Sequence, residues 1–123
     1  MHELSVCQGM LAQVSEIARD HGARAASRIV VRVGPLSGVE PALLAQAFPL
    51  ARAGTVAAEA DLVVEPAPVR VRCERCGAET EAAANRLLCG ACGDYRTTLT
   101  AGDELLLVSV ELVREEEVMS AKR

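Results

Sequence analysis

The chain has little aromatic character: no Trp, one Phe (Phe48) and one Tyr (Tyr95) among 123 residues. Aromatic platforms for stacking bases are therefore almost absent, and a core must be built from Val, Leu, Ile and Ala. Positive charge is also in short supply. Thirteen Lys and Arg stand against seventeen Asp and Glu, a net charge of −4, whereas a general nucleic-acid binder is normally basic. Neither a nucleic-acid partner nor a membrane is expected, since no apolar run reaches the roughly eighteen residues that a spanning helix needs. The opening Met1-His2-Glu3-Leu4 lacks the basic and apolar regions of a signal peptide, which points to the cytoplasm. Histidine is scarce as well, with only His2 and His21. With no Gly-rich phosphate loop and no triad pattern, nothing legible supports an enzyme.

What the chain does have is five cysteines, four of them in an ordered pattern. Cys73 and Cys76 form one Cys-x-x-Cys, Cys89 and Cys92 a second, and twelve residues separate the pairs. A tetrahedral metal needs four soft donors converging on one point, and two intervening residues let one turn present two thiolates. Gly77 and Gly93 follow the pairs, where a backbone free to take positive φ closes each turn. Two such knuckles make a zinc ribbon. Iron held as in rubredoxin, or disulfides, are the alternatives, and a reducing compartment disfavours the latter. Four thiolates would close the coordination sphere and leave no open position for catalysis. Cys7, outside the pattern, reads as a small buried hydrophobe on a helix.

Half of the residues are hydrophobic, and their spacing orders the chain. Leu4, Cys7, Leu11, Val14, Ile17 and Ala18 form one helical stripe that ends before Gly22, with His21 as a last-turn cation. A β-branched run at 28–33 predicts a strand. A second helix begins near Pro41, with Leu43, Leu44, Ala47, Phe48 and Ala51 as its expected buried face and a kink expected at Pro49. Residues 61–65 and 69–72 are short extended runs split by Pro66 and Pro68, suited to an edge or a bulge. Residues 104–112 form the strongest strand pattern, and the charged tail 114–123 is expected to fray. The fold class is thus α+β: a small three-stranded sheet packed with two helices, formed by 1–72 with 99–123. The four-cysteine ribbon at 73–98 is inserted through connectors at 69–72 and 99–104.

His2 has a chemistry of its own. A free α-amine, the amide nitrogen of residue 2 and its imidazole can chelate one ion in fused rings, and planar nitrogen donors suit Ni(II) or Cu(II). Glu3 adds an oxygen or a second amide nitrogen. Taken alone, His2 reads more simply as a residue of a mobile terminus. The wider pattern changes this. Met1-His2-Glu3-Leu4-Ser5, Leu36-Ser37-Gly38-Val39-Glu40-Pro41, Gly54-Thr55-Val56-Ala57, Ala60-Asp61-Leu62, both knuckles and Gly102-Asp103-Glu104-Leu105 together resemble the HypA/HybF family. These are the nickel-insertion accessory proteins of [NiFe]-hydrogenase maturation.

The resemblance implies a nickel metallochaperone rather than an enzyme. It assigns Ni(II), the transferred metal, to His2 and Glu3, completed by the Met1 amine or backbone amides. Some members add an acidic ligand at the position of Glu40, where they carry Asp. Glu40 has a longer stem and reads equally well as a first-turn carboxylate facing the helix dipole. Structural Zn(II) falls to Cys73, Cys76, Cys89 and Cys92. The implied partners are the GTPase of the maturation pathway and the hydrogenase large subunit. Urease is a further target for some members, and a homodimer is compatible with the pattern. This chain departs from the family at Gly90 (commonly Pro), at Asp94 (often Ser or Asn) and at Leu87 or Leu88 (an aromatic), all in the ribbon. The competing function is a zinc-ribbon protein-binding adaptor or regulator with no nickel role.

Overall fold

The computed structural model describes residues 3–114. Met1, His2 and the tail 115–123 lie outside the described residues, and with them the expectation of a frayed C-terminus. Eight elements follow in order: α1 (Glu3–Asp20), β1 (Ala23–Val33), α2 (Pro41–Ala51), β2 (Asp61–Pro66), β3 (Arg70–Cys73), β4 (Glu79–Glu81), β5 (Thr97–Ala101) and β6 (Leu105–Arg114). They form two three-stranded sheets, ordered β2-β1-β6 and β4-β3-β5, and the second is antiparallel. The α+β class with two helices and a cysteine insert is therefore the observed one.

The chain divides into two compact units. One is built from residues up to Val31, Glu40–Val64 and those from Leu107 onward. Its α1 buries Cys7, Met10, Leu11, Val14 and Ala18, a face of 3.6-residue period that adds Met10 to the expected stripe and leaves Leu4 exposed in the first turn. Helix α1 packs against α2, which buries Leu44 and Phe48. Two details of α2 differ from expectation. Leu43 is 47% exposed, because the buried positions Leu44 and Phe48 are four apart and leave Leu43 on the opposite flank. The helix also runs unbroken through Pro49. That proline sits in the last turn on the exposed side, where only one ladder bond is lost. Proline-bearing β2 lies at a sheet edge, where a missing N–H costs no pairing.

The second unit comprises Arg32–Val39 and Glu65–Leu106. Both expected connectors turn out to contribute strands here. Residues 70–73 are β3, the central strand, and β5 covers 97–101. Strand β3 pairs with β4 through Val71↔Thr80 and with β5 through Val71↔Leu99, with a bulge between Arg70 and Val71. Val71 is fully buried between them. The unit is closed where two backbones meet. Gly34 N–H donates to the Glu104 carbonyl, and Leu36 N–H to the Gly102 carbonyl, each at 2.8 Å. A Cβ on Gly34 would run into the Gly102 carbonyl, so only glycine fits there.

Candidate metal centre

Strand β3 ends on Cys73, and the turn that follows carries Cys76. Cys73 N–H bonds to the Ala78 carbonyl and Gly77 N–H to the Cys73 carbonyl. Cys89 repeats the arrangement, its N–H on the Asp94 carbonyl and its carbonyl accepting from Gly93 N–H. Both closing glycines have φ of 78°, as the sequence predicts for this turn. Inside each knuckle the first sulfur receives two backbone N–H groups. Arg75 and Cys76 donate to Cys73 Sγ at 3.3 Å, and Ala91 and Cys92 donate to Cys89 Sγ at 3.3 and 3.4 Å.

The four sulfurs lie within 4.8 Å of one another. Cys73 Sγ approaches Cys92 Sγ at 3.6 Å, and Cys76 Sγ approaches Cys89 Sγ at the same distance. Thiolates at about 2.3 Å from a tetrahedral zinc are separated by about 3.8 Å, so the donor set fits that ion. The amide-rich sulfurs are also the acidic ones. The N–H of Cys92 and then that of Ala91 bring Cys89 down to about 6, and the N–H of Cys76 leads the lowering of Cys73. Cys92 is pushed up to about 12: the N–H of Asp94 favours its thiolate, but sharing its proton with Cys73 and Cys89 and burial outweigh that. Cys76 is likewise raised, against the N–H of Ala78, by its contact with Cys89 and by burial. Four negative sulfurs repel one another unless a cation sits among them.

Of the expected nickel residues, Glu3 and Glu40 lie in the described chain. They are brought together: Glu3 Oε2 accepts the backbone N–H of Glu40 at 3.2 Å. Glu40 is the N-cap position of α2, yet its side chain makes no capping hydrogen bond, so its carboxylate is not consumed by the helix. His21 Nδ1 lies 2.9 Å from the Ile17 carbonyl, at the end of α1 as expected of a terminal group. Cys7 is fully buried, with its Sγ 3.6 Å from the Leu44 carbonyl, and burial leads the rise in its thiol pKa.

Residues 1–112 match the family described as hydrogenase/urease nickel incorporation, metallochaperone, hypA. The chain belongs to this family. Among relatives of this HypA-family chain, the hydrogenase maturation factor HypA of Nitrosospira multiformis is 47% identical over 113 residues, covering 92% of this chain and 98% of that one. The factor of the same name from Aquifex aeolicus is 39% identical over 112 residues, covering 91% and 97%. A solved structure, that of the Ni metallochaperone HypA from Helicobacter pylori, aligns with a TM-score of 0.71 at 29% identity, covering 94% of this chain and all of that one.

Sequence reasoning about this HypA-family ribbon missed its supporting residues. Thr80 Oγ1 accepts the Gly90 N–H at 2.8 Å, tying β4 to the second knuckle. Asp94, noted only as a departure, is the best-sheltered carboxylate of the ribbon's ion pairs, 6% exposed between Arg75 and Arg96. The Asp-x-Arg spacing at 94–96 was the available signal, since Asp accepts readily from the amide two residues on.

Proposed function

We propose that this chain carries Ni(II) at its N-terminus during maturation of [NiFe]-hydrogenase, with the cysteine ribbon holding a structural zinc. The nickel role follows from membership of the HypA family over residues 1–112. The observation that supports its location is the Glu3–Glu40 contact, in which the Glu3 carboxylate accepts the backbone N–H of Glu40 and ties the start of α1 to the start of α2. His2 immediately precedes Glu3. His2 and Glu3, completed by the Met1 amine or backbone amides, form the nickel set, with Glu40 as a candidate for an added oxygen. Planar nitrogen geometry supplies the preference for nickel over zinc. An open site of this kind can surrender its cargo, whereas the four thiolates of the ribbon saturate their ion.

The partners of this reading are the pathway GTPase and the hydrogenase large subunit, with urease maturation as a further destination and the cytoplasm as the compartment. No helix among the described residues is long and apolar enough to cross a membrane. Nickel titration tests the site. Wild type, His2→Ala and a version with residues added before Met1 are compared by calorimetry. Both altered forms should bind Ni(II) at least about tenfold more weakly, and equal affinity in all three would exclude the N-terminal site.

A further inference from the structure

Asp94 ligates no metal in the reading above, yet its carboxylate is held by more groups than any other in the ribbon. Arg96 binds it three ways: the backbone N–H to Oδ1 at 2.8 Å, Nε to Oδ1 at 3.1 Å and Nη2 to Oδ2 at 2.9 Å. Arg75, which lies between the two cysteines of the first knuckle, reaches Oδ2 at 3.6 Å. The backbone continues the connection. The Arg96 carbonyl accepts the Glu74 N–H at 2.8 Å, and the Asp94 carbonyl accepts the Cys89 N–H at 2.9 Å. A residue just beyond the second knuckle is thereby bonded to the first.

We infer that Asp94 is a positioning residue of the zinc centre: it fixes Arg75 and Arg96 across both knuckles, keeps the four sulfurs together and slows release of the metal. The inference rests on the reading of the ribbon as a zinc site. Four thiolates around a dication leave the centre with a net charge of about −2, and two guanidinium groups beside it offset that charge. Their side chains are 67% and 56% exposed, and untethered arginines at that exposure spend their time in water. A sheltered carboxylate bonded along the fork of Arg96 removes that freedom. A chelator takes zinc by detaching one cysteine at a time, which requires the knuckles to part. Parting them breaks the Arg75–Asp94 pair.

Zinc release from the full chain to excess 4-(2-pyridylazo)resorcinol tests this, in wild type, Asp94→Asn, Arg75→Gln and the double variant. Asp94→Asn keeps an oxygen for the Arg96 N–H but loses the charge. All forms should carry about one zinc per chain. Asp94→Asn should release it about tenfold faster and Arg75→Gln several-fold faster, with the double variant no faster than Asp94→Asn alone. High salt should accelerate release from wild type and leave Asp94→Asn unchanged, a signature that a purely steric role does not give. Equal release rates in wild type and both single variants overturn the inference. A wild-type chain that holds no zinc overturns the zinc reading instead. If Asp94→Asn does not fold, Arg75→Gln, whose side chain is mostly in solvent, carries the comparison with wild type.

Discussion

Each knuckle pairs an acidic sulfur with a basic one: two backbone amides favour the first thiolate, whereas contacts with other sulfurs and burial outweigh the single amide at the second. Cys89 accepts two amides and titrates near 6, while Cys92 is pushed up to about 12; an ordinary thiol titrates at 9.0. A lowered pKa means that the thiolate is favoured by folding. The Cys89 contribution is therefore complete above pH 9 and fades as pH falls toward 6. For Cys92 the sign reverses: its contribution is complete below pH 9 and fades as pH rises toward 12. The zinc-free, reduced ribbon is thus expected to resist unfolding best near pH 9, with a decline on both sides, as urea denaturation across pH would reveal. With zinc bound, all four sulfurs are thiolates and protons compete with the ion, so stability should fall with acid. Replacing any one of the four by Ser should lower zinc content well below one per chain and loosen the β4-β3-β5 sheet, which metal analysis and amide exchange would register. These ligands were readable because two thiolates on one turn demand a fixed short spacing. Asp94 was readable only in part: the Asp-x-Arg spacing marks its bonds to Arg96, but Arg75, nineteen residues earlier in the sequence, comes near only in the folded ribbon.

The helices were legible for the reason that stripes are: a 3.6-residue period repeats over several turns, as from Cys7 to Ala18 in α1. Shorter elements carry too few repeats. Residues 41–51 contain eight apolar side chains other than proline, so the period in α2 is blurred, and Leu43 was placed on the wrong flank. Substitution reads out the correct face. Leu44→Ala should cost about 3 kcal/mol, whereas Leu43→Ser should change stability by no more than about 0.5 kcal/mol. Urea titration of both variants checks this. The run at 69–72 reads as extended from its sequence, but the central place of β3 comes from pairing with both β4 and β5, and β5 itself carries too few residues to show clear alternation. The tightest joint in this unit is Gly34. An added methyl meets the Gly102 carbonyl and also lies 2.8 Å from Glu104 Oε1. Gly34→Ala should therefore destabilise by about 3 kcal/mol, visible as a marked drop in Tm.

At the scale of the whole molecule, each compact unit has its own buried residues: Leu11, Val14 and Leu44 in one, Val39, Val69 and Val71 in the other. Only the second contains the four-cysteine cluster. Stripping zinc with a chelator should therefore expose amides of β3, β4 and β5 while leaving the helical far-UV signal of α1 and α2 largely intact, which hydrogen exchange and circular dichroism together would establish. The sulfur geometry has one more consequence, in redox chemistry. The close approaches run from one knuckle to the other, Cys73 with Cys92 and Cys76 with Cys89, both at 3.6 Å. A peroxide acting on the metal-free chain would remove two electrons and two protons from each pair and join them as two concentric loops, 73 to 92 around 76 to 89. Such loops restrain the unfolded chain without any metal. Oxidation would then preserve the outline of the ribbon while abolishing its capacity for zinc, leaving a chain that passes for native until its metal is counted.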